Sequence, residues 1–293
     1  MKKLDIKKIK KIENVDLSKY TTYRLKSKAS YMVFPEDTDE LIKLIKYLRE
    51  NEVKYKIIGG GANLIFAHDY DGVLIKLDSF DNLVIKDTKV RVGAGYNLIK
   101  LATKLCKLGL TGIEFATGIP GTVGGAIFNN AGAYKSDMGY IVESIKVLTP
   151  DLEIKTLYNK DLKYHYRTSF LKDNPDYICL EATIVLKHGK KEQILEVIED
   201  RKKRRLMSQP LDYPSAGSVF RNPPDNFAGK LIEDVGYKGK TVGGAKVSEK
   251  HANFIINYNN ATGKDIIKLI NEIKEKVKEK YDIELVLEQE IVD

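Results

Sequence analysis

Residues 118–134 read Gly118-Ile-Pro-Gly-Thr-Val-Gly-Gly-Ala-Ile-Phe-Asn-Asn-Ala-Gly-Ala-Tyr134. Five glycines and a proline in this run predict that it is neither an ordinary core helix nor an ordinary core strand. Glycine is tolerated where the backbone must approach another group closely, and a dense glycine run presents backbone N–H groups that can bind an anion such as a phosphate. Apolar residues within the run, such as Val123 and Ile127, indicate a fixed conformation rather than a flexible surface loop.

A second glycine-rich turn, Gly59-Gly-Gly-Ala-Asn-Leu64, follows directly on a predicted strand over residues 54–58. The run at 118–134 has neither the Gly-Lys-Ser/Thr ending of a Walker loop nor the Gly-x-Gly-x-x-Gly dinucleotide fingerprint. The segment Val92-Gly-Ala-Gly-Tyr-Asn-Leu98 lacks the third glycine and follows a predicted hairpin, so we reject a Rossmann site there as well. Two glycine turns can still bind both phosphates of a dinucleotide through backbone N–H groups, without a lysine.

The charge of the chain favours an anionic partner without naming one. The 293 residues include 49 basic and 41 acidic side chains, which gives a net charge of +8. This charge is compatible with nucleic acid, an acidic membrane surface or an anionic small molecule. The basic residues cluster only at Arg201–Arg205, where no aromatic residues are interleaved, so we interpret this cluster as a solvated helix end.

Targeting, membrane and metal signals are missing from the sequence. The basic start Met1–Ile12 has no apolar region behind it, and no segment approaches the roughly 18 consecutive apolar residues of a membrane span. Cys106 and Cys179 lie among apolar neighbours, so we expect buried free thiols and a reducing compartment. The four histidines have no ligand spacing, and we expect no metal site.

Hydrophobic periodicity predicts an α+β fold with mixed or antiparallel sheets rather than a regular βαβ repeat. The spacing of apolar residues predicts helices over 39–49, 96–108, 191–205, 228–235 and 264–280. Strands are predicted over 54–58, 73–77, 83–86, 89–92, 140–148, 153–157, 177–187, 242–247, 253–257 and 283–292.

Three further motifs combine residue types that can carry chemistry. They are Tyr164-His-Tyr-Arg-Thr-Ser-Phe170, Pro214-Ser-Ala-Gly-Ser-Val-Phe-Arg-Asn-Pro223 and Leu285-Val-Leu-Glu-Gln-Glu-Ile-Val292. Taken alone, the first is a surface arginine with its stem on a tyrosine, and the second is a serine that closes a turn. The third places two carboxylates on one face of a strand, which is equally typical of a half-exposed edge.

Together with the two glycine turns, these motifs resemble the UDP-N-acetylenolpyruvoylglucosamine reductase (UDP-N-acetylmuramate dehydrogenase) family, in order, from about residue 20 to the end of the sequence. The resemblance implies a two-subdomain FAD-binding fold of the vanillyl-alcohol oxidase/p-cresol methylhydroxylase type, followed by a substrate domain. The implied boundaries are 1–78, 79–207 and 208–285, with a last strand over 286–293 returning near the first subdomain. No insertion is found between Tyr177 and Gln209, which is typical of the shorter type of the family, without the extra tyrosine loop.

The resemblance also implies the cofactors. FAD is expected to be bound non-covalently, because the first glycine turn contains no histidine or cysteine, and NADPH is expected as the reductant. The residues implied for the flavin are Gly59, Gly60, Gly61, Ala62, Asn63, Leu64, Gly118, Ile119, Pro120, Gly121, Gly124, Gly125, Ala126, Asn130, Gly132 and Ala133.

The remaining motifs imply the chemistry. By the match to the family, hydride reaches the enolpyruvyl methylene carbon of UDP-N-acetylglucosamine enolpyruvate by way of the flavin, and the product is UDP-N-acetylmuramate, a peptidoglycan precursor. Arg167 and Glu290 are implied to stabilise the enolate, Ser218 to deliver the proton, and Asn222 to contact the substrate diphosphate. Glu288 is implied as a neighbour of Glu290. We expect a cytoplasmic enzyme with neither a nucleic-acid partner nor membrane insertion, and solvated surface positions for Lys230, Lys246 and His251.

Two alternatives remain at this point. One is a flavin oxidase of the same fold that acts on an alcohol or a sugar, although the segment 164–170 and Ser218 count against it. The other is a non-catalytic nucleotide-binding or RNA-binding protein. A flavin absorption spectrum of the purified protein separates this last class from the two enzymes.

Overall fold

The structure, a computed structural model, describes residues 9–293. The first eight residues, which contain most of the basic start, lie outside the described part. The chain forms two compact units from interleaved segments. Of the described residues, unit 1 contains 9–12, Met32–Gly60 and Gly72–Lys203; unit 2 contains Glu13–Tyr31, Gly61–Asp71 and Arg204–Asp293. The three-part division at 78, 207 and 285 stays a prediction.

Helices and strands alternate irregularly along the described residues. The helices are α1 (Thr38–Glu50), α2 (Leu98–Lys107), α3 (Val123–Phe128), α4 (Phe170–Asp173), α5 (Lys191–Ser208), α6 (Ala228–Asp234) and α7 (Gly263–Tyr281). The strands are β1 (Lys10–Asp16), β2 (Lys28–Phe34), β3 (Tyr55–Ile58), β4 (Leu64–Phe66), β5 (Tyr70–Lys76), β6 (Leu83–Lys86), β7 (Lys89–Gly93), β8 (Leu110–Thr111), β9 (Gly132–Ala133), β10 (Ser136–Asp137), β11 (Val142–Leu148), β12 (Ile154–Tyr158), β13 (Ile178–Val185), β14 (Lys187–His188), β15 (Thr241–Val242), β16 (Ala245–Val247), β17 (Ile255–Asn257) and β18 (Glu290–Val292). Short 3-10 helices occur at Leu17–Lys19, Glu114–Gly118, Met138–Tyr140 and Asn159–Asp161.

The predicted amphipathic helices are confirmed, and local capping explains where they begin. The Asp37 side chain accepts a hydrogen bond from the Glu40 N–H at the start of α1, and Asn97 does the same with the Lys100 N–H at the start of α2. Thr262 and Asp265 form a capping box at α7. Each of these helices buries one apolar stripe, as its sequence spacing predicts.

Unit 1 has its main core on an antiparallel sheet of order β12-β11-β13-β7-β6. The predicted hairpin of β6 and β7 is confirmed, with Lys86 opposite Lys89. The core includes buried residues of α2 and α3 as well as those of the sheet. In a separate sheet of order β1-β2-β5-β3, strand β3 runs parallel to β5, with Ile58 opposite Lys76. This pairing ends where the first glycine turn begins.

Unit 2 contains the three-stranded antiparallel sheet β15-β16-β17, which packs on α7. Its strands β18 and β4 pair in parallel, with Glu290 opposite Leu64. Residues of α6, α7 and the 216–220 segment form the core of this unit. The mixture of helices with mainly antiparallel strands confirms the predicted α+β class.

The structure corrects three element predictions. The single strand predicted over 242–247 is instead two short strands, β15 and β16, which pair antiparallel across a turn at Gly243 and Gly244. The glycine run contains the short helix α3, so the expectation that excluded a helix there was wrong: Thr122 caps this helix, and Val123 and Ile127 are fully buried. The strand predicted over 283–292 is only three residues long, Glu290–Val292, because the chain leaves α7 through the left-handed Asp282 and pairs before β18 only at an isolated bridge. Strands β1 and β2 were not predicted at all. In residues 9–293, no helix is long and apolar enough to cross a membrane.

Candidate functional site

The two glycine turns meet within unit 1. A Cβ atom on Gly60 would lie 2.7 Å from the Cα of Gly121, and one on Gly59 would lie 2.5 Å from the Oγ1 of Thr122. Atoms this close would have to move, and in the first case the neighbour is backbone. Glycine at these positions therefore lets two loops approach backbone to backbone, which builds a narrow cradle of peptide groups.

Another part of the 118–134 run, at Val123 and Gly124, packs against residues 94–96. The N–H of Gly124 donates to the Ala94 carbonyl at 2.8 Å, and that of Val123 donates to the Tyr96 carbonyl at 2.9 Å. A Cβ atom on Gly124 would come within 2.9 Å of the Ala94 side chain. These N–H groups are already bonded within the protein, so the run offers fewer anion-binding donors than its glycine count suggests.

A buried lysine lies at the first turn. The Nζ of Lys76 donates to the carbonyl of Gly59 at 3.0 Å and forms an ion pair with Asp78 at 3.2 Å. The Lys76 side chain is only 11% exposed. Its ammonium group therefore orients the peptide of Gly59 beside the cradle while Asp78 balances its charge, a contact that sequence reasoning missed.

The rest of the first motif belongs to unit 2. Gly61 has a φ of +62°, and a Cβ atom there would lie 2.1 Å from the Tyr20 carbonyl oxygen, so this position requires glycine. Asn63 donates from its side chain to the Glu288 carbonyl at 3.0 Å, and its own carbonyl accepts from the Glu290 N–H at 2.9 Å. The predicted flavin segment 59–64 is thus divided between the units, and its second half lies beside Glu290.

Arg167 lies at the tip of a tight turn in unit 1. The backbones of His165 and Thr168 exchange two hydrogen bonds of 3.2 Å, which close the turn over Tyr166 and Arg167. Arg167 has a φ of +58°, an uncommon conformation for a residue other than glycine. Its Nη2 donates to the Gly132 carbonyl at 2.7 Å, and its guanidinium group lies 5.2 Å from the centre of the Tyr166 ring. The turn therefore touches the end of the long glycine run.

Ser218 and Glu290 lie on neighbouring segments of unit 2. The Glu288 N–H donates to the Val219 carbonyl at 2.8 Å, and Phe220 forms a bridge with Leu287. The buried Gln289 side chain donates to the carbonyls of Ala216 and Gly217, both at 3.1 Å. These bonds surround Ser218, which follows the left-handed Gly217 (φ +77°), and fix it beside the strand that carries Glu290. Both side chains are partly exposed.

Asn253 was missed by sequence reasoning but holds the serine segment from its other side. Its side chain accepts from the Phe220 N–H at 3.0 Å and donates to the Phe220 carbonyl at 2.8 Å. Its backbone carbonyl accepts from the Val219 N–H at 2.9 Å. Asn253 is buried, so the segment after Ser218 has one fixed conformation.

Asn222 is exposed at the start of α6. Its Oδ1 accepts from the Ala228 N–H at 3.1 Å, so this end of the amide stabilises the helix. The other end, Nδ2, is the donor that a phosphate oxygen can accept from. Lys230 is exposed, as expected, but the expectation of a solvated surface position was wrong for two residues, which are partly buried: Lys246 is paired with Glu249 at 2.5 Å, and His251 accepts from the Asn253 N–H through Nδ1 at 3.2 Å. Burial lowers the pKa of His251.

Neither a disulfide nor a metal cluster is found within residues 9–293. Cys106 and Cys179 are free, as predicted, and burial raises the pKa of each thiol to about 12. The described residues contain no group of three or more His, Cys, Asp or Glu side chains that could hold a metal ion.

Comparisons with known proteins place this geometry in a family. Residues 209–292 match the model described as UDP-N-acetylenolpyruvoylglucosamine reductase, C-terminal domain, and residues 29–158 match an FAD binding domain. The UDP-N-acetylenolpyruvoylglucosamine reductase of Anoxybacillus flavithermus is 45% identical over 96% of this chain and 93% of its own length. That of Caldanaerobacter subterraneus subsp. tengcongensis is also 45% identical, over 95% of this chain and 92% of its own length. The chain belongs to the UDP-N-acetylenolpyruvoylglucosamine reductase family.

Solved structures agree with this assignment. The crystal structure of UDP-N-acetylenolpyruvylglucosamine reductase from Thermus caldophilus is 32% identical, covers 98% of this chain and 99% of its own, and has a TM-score of 0.82. The 6-hydroxy-D-nicotine oxidase of Arthrobacter nicotinovorans is 15% identical over 64% of this chain and 44% of its own, with a TM-score of 0.51, and shows the fold alone. The predicted flavin-binding fold of the vanillyl-alcohol oxidase type is confirmed.

This member of the UDP-N-acetylenolpyruvoylglucosamine reductase family is therefore an FAD-dependent oxidoreductase. Its residues fit that cofactor: at the cradle, Gly59, Gly60 and Gly121 bring together partly exposed backbone that can bind a diphosphate, and Lys76 lies beside it in an ion pair with Asp78. The individual flavin contacts stay a prediction.

Proposed function

We propose that this reductase uses NADPH to reduce UDP-N-acetylglucosamine enolpyruvate to UDP-N-acetylmuramate, a step in peptidoglycan precursor synthesis, with Arg167, Ser218 and Glu290 as its catalytic residues. The observation that carries the proposal is the placement of Ser218 and Glu290 on hydrogen-bonded neighbouring segments of unit 2, fixed by Gln289 and Asn253. When bound at the cradle of Gly59, Gly60 and Gly121, FAD would supply hydride transfer between NADPH and the methylene carbon of the enolpyruvyl group.

Ser218 supplies the proton that completes the reduction. Addition of hydride at the methylene carbon leaves an enolate, and the adjacent carbon must then take up one proton. A serine hydroxyl is a weak acid, but the carbon of an enolate is a strong base, so transfer from Ser218 Oγ is feasible. The left-handed Gly217 and the buried amide of Gln289 hold the backbone on which this hydroxyl is mounted.

Arg167 and Glu290 meet the charge that develops on the substrate. The guanidinium group of Arg167 is planar and permanently charged, which suits a carboxylate or an enolate oxygen. The Glu290 backbone is bonded to the Asn63 carbonyl and lies in β18, a regular element, so its carboxyl group is mounted on a rigid support. Asn222 contributes Nδ2 to the substrate diphosphate.

The buried, free cysteines support a reducing compartment, and we place the reaction in the cytoplasm. FAD is held non-covalently in this proposal. The partners are the UDP-linked substrate and NADPH.

The proposal is tested by measuring the two half-reactions separately in stopped-flow experiments. Ser218→Ala leaves flavin reduction by NADPH near normal and slows flavin reoxidation by the enolpyruvyl substrate about 10²- to 10⁴-fold, the usual range for general acid catalysis. The matched control is Ser208→Ala, because the Ser208 hydroxyl bonds only to its own helix, at the Arg204 carbonyl, in the contacts described.

If Ser218→Ala slows both half-reactions equally, Ser218 is not the general acid. Reoxidation by oxygen at a rate that matches turnover with the enolpyruvyl substrate would identify an oxidase instead.

A further inference from the structure

The Arg167 turn, residues 165–168, is hydrogen-bonded to the glycine-rich run through Asn130 as well as through Arg167. The Nδ2 of Asn130 donates to the His165 carbonyl at 2.8 Å, and its Oδ1 accepts from the Gly139 N–H at 2.9 Å. Asn130 is 2% exposed and has a φ of +42°. Both ends of its amide are therefore engaged with backbone, and one of them supports the first residue of the turn.

Two further side chains fasten the other end of the turn. The hydroxyl of Ser169, which is fully buried, donates to the Phe128 carbonyl at 2.8 Å. The Nζ of Lys172 donates to the Oδ1 of Asn129 at 2.9 Å and to the backbone carbonyl of Arg167 at 3.3 Å. The ammonium group of Lys172 thus contacts both the C-terminal end of α3 and the strained residue itself.

These hydrogen bonds stabilise the strained backbone conformation of Arg167. A residue other than glycine in the left-handed region is strained and persists only where its surroundings determine the conformation. A hydrogen bond from a charged donor is roughly twice as strong as a neutral one. Lys172 is the charged donor to the Arg167 carbonyl, so it stabilises the conformation that aims the arginine.

We infer that Lys172 and Asn130 are positioning residues for Arg167, and that they link the flavin-binding run to the arginine turn. This inference rests on the proposed role of Arg167 in the substrate half-reaction. Removal of either side chain leaves Arg167 itself unchanged. The turn that carries the arginine can then move away from residues 128–132. The effect falls on the step that uses Arg167 and not on hydride uptake from NADPH.

The test compares Lys172→Met, which keeps the length of the side chain and removes its donors, with Lys172→Arg and with Lys187→Met, an exposed lysine on β14. With flavin content unchanged, Lys172→Met lowers the rate of reoxidation by the enolpyruvyl substrate about 10- to 100-fold, because a displacement of about 1 Å can cost about 100-fold. Reduction by NADPH stays within about twofold. Lys172→Arg restores most of the loss, and Lys187→Met has no effect.

A double-mutant cycle with Arg167→Ala separates positioning from an independent role. If Lys172 acts through Arg167, the double variant is no slower than Arg167→Ala alone. If the two substitutions instead slow reoxidation independently, so that their effects add in the double variant, the inference is wrong. A normal reoxidation rate in Arg167→Ala would instead overturn the proposed function.

Amide hydrogen exchange gives a readout that does not depend on turnover. The N–H groups of His165 and Thr168 are bonded to each other's carbonyls, so their exchange reports whether the turn is closed. In the substrate-free protein, Lys172→Met and Asn130→Ala accelerate exchange in the peptide 164–170, whereas Lys187→Met does not. Unchanged exchange in both variants would show that the turn does not depend on them, and the inference would fail.

Discussion

At the scale of single residues, hydrogen bonds distinguish side chains that build the site from those that can act on a ligand. The amides of Asn130, Asn253 and Gln289 bond to backbone groups at two or more points. Ser218 and Glu290 instead lie partly exposed on segments that the amides of Asn253 and Gln289 support, whereas Asn130 supports the Arg167 turn. The buried amides therefore provide the rigidity that the proposed chemistry requires, since a catalytic group must be held close to its reactive geometry.

His251 predicts a pH dependence of stability. Its ring packs 4.9 Å from that of Phe254, its Nδ1 accepts from the Asn253 N–H, and burial lowers its pKa below the ordinary value of 6.5. The unfolded chain therefore binds a proton at a higher pH than the folded chain does. The free energy of unfolding falls as the pH drops below about 6.5, where the unfolded histidine becomes charged.

His251→Gln flattens this dependence between pH 7 and pH 5, because the replacement does not titrate. Calorimetric Tm values measured across this range check the prediction. The control is His68→Gln, which replaces an exposed histidine. Identical slopes for the parent and His251→Gln would rule out His251 as the cause.

At the scale of elements, the close approach of two loops has a direct test. Gly60→Ala places a Cβ atom 2.7 Å from the Cα of Gly121, so the turns after β3 and before α3 must separate. We expect a folded protein that purifies with little flavin, measured as the ratio of flavin to protein absorbance. The control is Gly229→Ala, whose Cβ would lie 3.3 Å from the His251 ring and no closer than 3.6 Å to backbone outside its own helix. Full flavin content in Gly60→Ala would remove this cradle from the cofactor site.

The elements also show which features a sequence can predict. Helices α1, α2 and α7 carry apolar residues at regular spacing over at least ten residues, and their positions were predicted to within about two residues. Helix α3 has six residues and begins with Val-Gly-Gly, which is too short and too rich in glycine for periodicity to detect. The long final strand was over-predicted because alternation of residues 283–292 cannot reveal whether a pairing partner is present.

Only part of the candidate site could be predicted from the sequence. The glycine turns and the residues Arg167, Ser218 and Glu290 stand in short motifs, so resemblance to the family could single them out. Lys76, Lys172 and Asn253 stand outside the residues singled out from those motifs, and their contacts reach segments from 17 to more than 40 positions away. Long-range hydrogen bonds of this kind become visible only when the chain is folded.

At the scale of the whole molecule, the cofactor is expected to contribute to stability. A ligand that binds only the folded state raises the free energy of unfolding by RT ln(1 + [L]/Kd), about 2.7 kcal/mol at a concentration of 100 Kd. Removal of FAD therefore lowers the Tm, and re-addition restores it in proportion to the logarithm of its concentration. Calorimetry of the flavin-free protein with added FAD measures this shift.

Riboflavin provides a comparison for the phosphate cradle, because it carries the same ring system without the diphosphate and the adenosine of FAD. If the turns at Gly60 and Gly121 bind the diphosphate, riboflavin at equal concentration raises the Tm much less than FAD does. Equal shifts for the two compounds would show that the glycine turns contribute nothing to cofactor affinity.

The interleaved construction of unit 2 determines the order in which the chain can fold during synthesis. This unit joins Glu13–Tyr31 and Gly61–Asp71 to residues beyond 203, and strand β4 obtains its parallel partner only when β18 at Glu290–Val292 has been made. Protein synthesis proceeds at about 5–20 residues per second, so on the order of ten seconds or more pass between the synthesis of residues 64–66 and that of β18. Throughout this interval β4 lacks its β18 partner, so unit 2 is completed only once residues 290–292 have been synthesised.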